Sequence, residues 1–224
     1  LTLLEVRRVT FGEVYSTLTL GVAARGATRV PDRKYGAAQG DRNGQEAKLD
    51  HAGQIVQSII APDLPLYGDG VYSPTAVAVF DDRLGGNGDV GVADGYGQSY
   101  LHRYDRDGNL LASFNGEESA AVRFDTPHGL MIDTRKSEPE LYVADRANAR
   151  IVVLDLEGEF KRVINSGVLS TSCAFATDGD VLAVAELRAR VSLLDSEDRL
   201  IGYLGENEIV CDRPGWPNAL DEDS

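Results

Sequence analysis

The sequence predicts an all-β protein, a β-propeller, and three observations carry that prediction. Short runs of β-branched and aromatic residues recur, turn signals separate them, and the whole pattern returns after 51 and then 41 residues. The clearest copy spans residues 126–164, TPHGLMIDTRKSEPELYVADRANARIVVLDLEGEFKRVI. Thr126-Pro127 makes a turn, and 129–133, 140–145 and 150–155 read as three strands. Leu156-Glu157-Gly158 then turns the chain into a fourth, 159–164. Each run is strand-length and too short for a periodic helix, so the unit is a four-stranded antiparallel sheet. One such sheet cannot bury both of its faces, whereas radial stacking of several buries them all. A β-sandwich would not repeat in this way, and a parallel β-helix has a much shorter repeat.

Taken in order, the units fall at about 11–60, 72–115, 124–165 and 168–205, with a partial copy at 206–224, in one domain over 1–224. Residues 14–22 alternate like a strand, while 23–43 are rich in Gly, Ala and Arg and read as loop. Residues 49–56 match 154–161 as strand, turn and strand. In the second unit 73–79, 90–94, 101–105 and 109–114 are the strands, with turns at 85–88 and at Asp107-Gly108. In the fourth they are 172–177, 181–186, 191–195 and 200–204.

Composition narrows the function. The 224 residues include 24 glycines, as a turn-rich fold requires, and carry a formal net charge of −14. That charge repels phosphate backbones and anionic lipid, so neither nucleic acid nor a membrane surface is an expected partner. No apolar run approaches the ~20 residues of a membrane span, so a water-soluble chain is expected. The chain does not begin with Met, which fits a leader removed on export, and composition alone assigns no compartment. Cys173 and Cys211 are too few for a disulfide framework; they pair, or one is a buried thiol in a strand and the other lies in a loop.

In a propeller the innermost strands line a central channel, so equivalent positions of successive blades meet although they are far apart in sequence. Thr75, His128 and Ser172 share one such position. Asp94, Asp145 and Glu186 share another, at the end of the second strand, and are followed by Gly95-Tyr96, Arg146-Ala147 and Leu187-Arg188. All are channel-mouth candidates for binding a peptide or small molecule. A histidine can bind metal or move a proton, a phenol beside a cation can ionise, and an arginine can clamp a carboxylate. Each also has a plain structural use: a histidine capping a strand, a packed phenol, an arginine paired with an acid. Gly86-Asn87-Gly88-Asp89-Val90-Gly91 fits G-x-G-x-x-G but runs into a strand rather than a helix, so it is no phosphate cradle. Asp105-Arg106-Asp107-Gly108-Asn109 lacks the bidentate Glu of a calcium loop and reads as a hairpin turn.

Pro127-His128-Gly129-Leu130, the run LYVADRANARI from Leu141 to Ile151, and then Asp155 and Gly158 resemble the NHL-repeat β-propellers, with weaker copies at 89–108 and 181–195. The resemblance covers about 49–204, and it implies a ring that in the family usually closes at six blades. Within the NHL propellers the chain resembles the peptidyl-α-hydroxyglycine α-amidating lyases. Their Asp-Gly-Tyr motif corresponds to Tyr96, their Pro-His-x-Leu to His128 and their Ala-Asp-Arg to Arg146. The resemblance implies a zinc ligand at His128, a catalytic phenolate at Tyr96, an active-site arginine at Arg146 and a structural calcium in the channel. It implies cleavage of a C-terminal α-hydroxyglycine to a peptide amide and glyoxylate. The family binds zinc with three histidines; this chain has His51, His102 and His128, and register puts His51 in a hairpin turn and His102 in a third strand. Asn218 aligns with His128 two blades on, and Gly97 stands where the family has a cysteine. The alternative is a non-catalytic propeller that binds a peptide or protein at the channel mouth.

Overall fold

The computed structural model describes residues 14–17, 44–49, 55–80, 85–117, 123–164 and 169–205. Those residues form fifteen strands and a short 3-10 turn at Pro65–Tyr67, and every paired strand is antiparallel. His51, Cys211, Asn218 and the sequence-predicted loop 23–43 and partial blade 206–224 lie outside the described residues.

The first sheet contains β1 (Val14–Thr17), β2 (Glu46–Leu49) and β3 (Ile55–Ile59). Blade 2 runs β4 (Ala76–Val79), β5 (Val90–Asp94), β6 (Tyr100–Tyr104) and β7 (Leu110–Phe114). Blade 3 runs β8 (Pro127–Asp133), β9 (Glu140–Asp145), β10 (Arg150–Leu154) and β11 (Phe160–Ile164). Blade 4 runs β12 (Ser172–Asp178), β13 (Val181–Glu186), β14 (Arg190–Leu194) and β15 (Leu200–Gly205). Each of these three sheets is a simple up-and-down meander, the blade of a propeller.

Register shows how the first sheet fits the series. Val14 of β1 faces Leu49 of β2, as Leu141 faces Leu154 and Leu182 faces Leu194 in the later blades. β1 therefore holds the second-strand position of its blade. The sequence-predicted strand 14–22 is described over 14–17 only.

The outer hairpins repeat one device. Asp105, Asp155 and Asp195 each accept backbone N–H bonds from residues two and four positions on, which closes the turn. Gly108 and Gly158 then take the left-handed conformation at φ +87° and +98°, a glycine's usual place in such a turn. The register slips by one residue at the last residue of the third strand in all four sheets, a bulge that adds twist.

Between sheets lie the apolar cores. Ala78, Ala93 and Leu101 of blade 2 meet Leu141, Val143 and Val152 of blade 3. Tyr142, Ile151 and Val153 of blade 3 meet Leu182, Val184 and Leu194 of blade 4. Alternate residues of each strand thus face opposite neighbours, so one blade contributes to two cores. Burial of this kind yields about 25 cal/mol per Å² of apolar surface and dominates the stability of the stack.

Candidate active site

The innermost strands β4, β8 and β12 lie side by side, and the turns after β5 and β9 bond back to the residues leading into β4 and β8, Tyr96 N–H to Ser73 O and Arg146 N–H to Thr126 O. Tyr96 sits in the turn after β5, His128 near the start of β8, and Arg146 just past β9. The structure brings these three side chains together. Arg146 Nη1 donates to Tyr96 Oη at 2.8 Å, and its guanidinium carbon lies 5.0 Å from the phenol ring centre. Tyr96 Oη is 3.1 Å from His128 Nε2, and the two rings meet edge to face. Tyr96 is 41% exposed while His128 is 6% exposed, so the phenol presents the cluster to the mouth and the imidazole lies beneath it.

The acidic residue at the end of each second strand explains how these turns are held. Asp94 accepts from the backbone N–H of Ser73 at 2.5 Å and of Gln98 at 2.7 Å, and from the Tyr67 hydroxyl at 2.7 Å. Asp145 accepts from the Asp125 N–H at 2.8 Å, from Asn148 at 2.8 Å and from Arg150 at 2.6 Å. Glu186 accepts from the Ser170 N–H and hydroxyl, from the Ser192 hydroxyl and from Arg190. All three acids, channel-mouth candidates in the sequence, are buried and cap the turns that carry Tyr96, Arg146 and Arg188. Burial pushes Asp145 above the usual carboxylate range despite its donors. It pushes Glu186 up as well, but the bonds from Arg190, Ser170 and Ser192 outweigh it and hold that carboxyl below its ordinary value.

Thr75 and Ser172 are likewise buried and spent on backbone: Thr75 Oγ1 donates to Pro127 O at 2.8 Å, and Ser172 Oγ to Arg150 O at 3.2 Å. Arg188 lies exposed in the turn after β13. His102 is buried in the third strand of blade 2, as register predicts, with Nε2 2.6 Å from Tyr67 Oη and Nδ1 2.8 Å from Ser113 Oγ. Burial lowers it to about 4, so it is neutral. At Gly97 a Cβ would stand 2.1 Å from the Asp94 carboxylate, so a larger residue beside Tyr96 would require that carboxylate to move.

Sequence reasoning placed Ser172 level with Thr75 and His128, but Ala76, Gly129 and Ala174 face equivalent alanines of the second strands, so Cys173 is the counterpart of His128 and its part was missed. Its carbonyl lies 3.1 Å from His128 Nδ1, and its thiol, half-buried, is beside Arg146. Burial raises the thiol above its ordinary value although the guanidinium pulls the other way. Burial also lowers His128, helped by the Arg146 charge and opposed by the Cys173 carbonyl, and the net shift leaves a neutral imidazole. A neutral ring facing a carbonyl at Nδ1 carries its proton there, so Nε2 offers a lone pair to the Tyr96 hydroxyl.

The donors can be tested against the zinc that the resemblance implies. A catalytic zinc takes three protein ligands. Among the described residues no cluster of three His, Cys, Asp or Glu side chains could hold a metal, and His128 is the one imidazole in the cluster. The described donor set does not fit a zinc centre. No helix among the described residues is long and apolar enough to cross a membrane.

No protein-family model matches the chain. Over 141 residues it is 36% identical to a probable peptidyl-alpha-hydroxyglycine alpha-amidating lyase of Caenorhabditis elegans, a match covering 61% of this chain and 35% of that protein. The chain thus spans about a third of the length of that relative. Among solved structures it is similar to hydrazine synthase of Kuenenia stuttgartiensis, with TM-score 0.52, 17% identity, and 72% and 43% of the two chains covered. It is also similar to a nidogen/laminin complex, with TM-score 0.51, 18% identity, and 72% and 56% covered. Both neighbours are propeller folds and speak to fold alone. The chain is a β-propeller protein whose sequence, over those 141 residues, resembles a peptidyl-α-hydroxyglycine α-amidating lyase.

Proposed function

We propose that the mouth over blades 2 to 4 is a C–N lyase centre that cleaves a C-terminal α-hydroxyglycine into a peptide amide and glyoxylate. One observation carries the proposal: Arg146 and His128 converge on a single exposed phenol, Tyr96. A stitch between blades needs only one donor at the His128 position, since Thr75, at the same position in blade 2, reaches the backbone of blade 3 at Pro127 O with a hydroxyl. The imidazole keeps a second nitrogen, and that nitrogen faces Tyr96.

The chemistry follows from the donors. Tyr96 passes its proton to His128 Nε2, and the Arg146 guanidinium stabilises the charge left on the phenolate. The phenolate takes the proton of the substrate hydroxyl, the C–N bond breaks as the carbonyl of glyoxylate forms, and the imidazolium returns a proton to the departing amide nitrogen. Atoms and charge balance without a co-reactant. The sequence similarity to an amidating lyase supports this substrate class. Zinc, which the resemblance to the lyases implies at His128, has no part in these steps. The donor set among the described residues, which has no three metal ligands together, favours a second reading, a propeller that binds a peptide end and leaves it intact.

The test is a peptide ending in α-hydroxyglycine, incubated with and without added zinc, with glyoxylate assayed. Release above the buffer rate in either condition supports the lyase, and binding of the peptide without release supports the second reading.

A further inference from the structure

Blade 3 meets blade 4 where β8 passes β12, and the approach there is close. A Cβ built on Gly129 would lie 2.4 Å from the Cys173 carbonyl oxygen and 3.1 Å from its carbon, distances that backbone cannot yield cheaply. Gly129 does not have a positive φ, so its conformation is open to any residue and the constraint is space alone. The equivalent residues in blades 2 and 4 are Ala76 and Ala174, each facing the matching alanine of the second strand. The fold of a blade therefore tolerates a methyl group at this position. In blade 2 the residue before it is Thr75, whose short side chain reaches Pro127 O with alanine next door. Among blades 2 to 4, only blade 3 has an imidazole as the stitching residue, and only there is its neighbour a glycine.

We propose that Gly129 is a positioning residue for the proposed reaction: by admitting the Cys173 carbonyl to 3.1 Å from His128 Nδ1, it fixes the ring in one tautomer, with the Nε2 lone pair aimed at Tyr96. A ring with its proton on Nε2 would set two lone pairs against each other at the Cys173 carbonyl. It would also present a proton donor to Tyr96, which could then not release its own proton. Glycine beside the histidine thus sets the direction in which the proton moves. The inference rests on the lyase reading for its consequence, but the tautomer itself can be observed without any turnover.

The experiment is ¹⁵N NMR of the histidine-labelled full chain, with the His128 signal assigned by its loss in H128N. The expected result is the Nδ1–H tautomer in the wild type. In Gly129→Ala it should shift toward Nε2–H, the form free histidine favours. Cys173→Ala should keep the wild-type tautomer, because the accepting group is backbone. An Nε2–H signal in the wild type overturns the proposal even if G129A fails to fold, and so does an unshifted tautomer in folded G129A. If the wild type releases glyoxylate, G129A should lower kcat with KM nearly unchanged. If no glyoxylate is released while the tautomer shifts as expected, the lyase reading fails and the positioning of His128 by Gly129 stands.

Discussion

Glu46 shows how one side chain can set a pH dependence. It is 1% exposed; Oε2 accepts from Tyr72 at 2.8 Å, while Oε1 has no partner among the described residues. Burial pushes the carboxyl up to about 8, with the Tyr72 bond opposing and the charge of Asp94 adding. Between its unfolded value of 4.5 and about 8, the unfolded chain releases this proton and the folded chain keeps it. Stability is therefore lost as pH rises across that window, by an amount on the order of a few kcal/mol. Glu46→Gln should become progressively more stable than wild type from pH 4.5 to 8, read as a growing gap in melting temperature. A gap that stays constant with pH would show that the carboxyl ionises normally. The residue's role was hidden in the sequence, where Glu46 sits at the edge of a blurred first unit. Tyr96, His128 and Arg146 were legible because repeats put them in register, whereas a contact to the Cys173 backbone leaves no trace in residue type.

Among the elements, the outer hairpins combine a rule and an exception. Gly108 and Gly158 occupy the left-handed turn position, and the equivalent residue of blade 4 is Asp198, at φ +64°. A non-glycine residue there costs about 1 kcal/mol. Asp198 stays because its carboxylate is a clamp between blades 3 and 4. Oδ1 accepts from Tyr142 at 2.7 Å, and Oδ2 accepts from Lys136 at 2.8 Å and from Arg162 at 2.6 Å. Arg135, almost fully buried, joins Asp133 to Asp198 and reaches the Asp195 carbonyl. Removing one partner of a buried ion network costs about 3–5 kcal/mol, more than the backbone relief returns. Asp198→Gly should thus destabilise the chain by about 2–4 kcal/mol in urea unfolding, and a neutral or stabilised variant would show that the turn matters more than the clamp. The strands themselves were legible to within one to three residues at their ends because alternation and turn residues agree. The clamp was not, since its members are up to 63 residues apart and nothing in their local sequence pairs them.

For the whole molecule, the order of blades decides which faces are covered. Ile151, Val153 and Tyr142 of blade 3 are wholly buried against blade 4. Register makes Val191, Leu193 and Ala183 their counterparts in blade 4, and these are only partly buried. Val153→Ala should cost about 2 kcal/mol, and Leu193→Ala less than that although it removes more carbon. An equal or larger loss at Leu193 would mean that this face is covered. The radial plan was readable from the 51- and 41-residue spacing alone, yet the number of blades in the ring was not, because each blade sees only its neighbours. That plan is what places a phenol of one blade over an imidazole and a guanidinium of the next. The most direct measurement is glyoxylate release from an α-hydroxyglycine peptide by wild type and Tyr96→Phe side by side. Release by the wild type with a loss of about 10²- to 10⁴-fold in Y96F is the predicted result, and release that Y96F leaves unchanged would contradict the assignment.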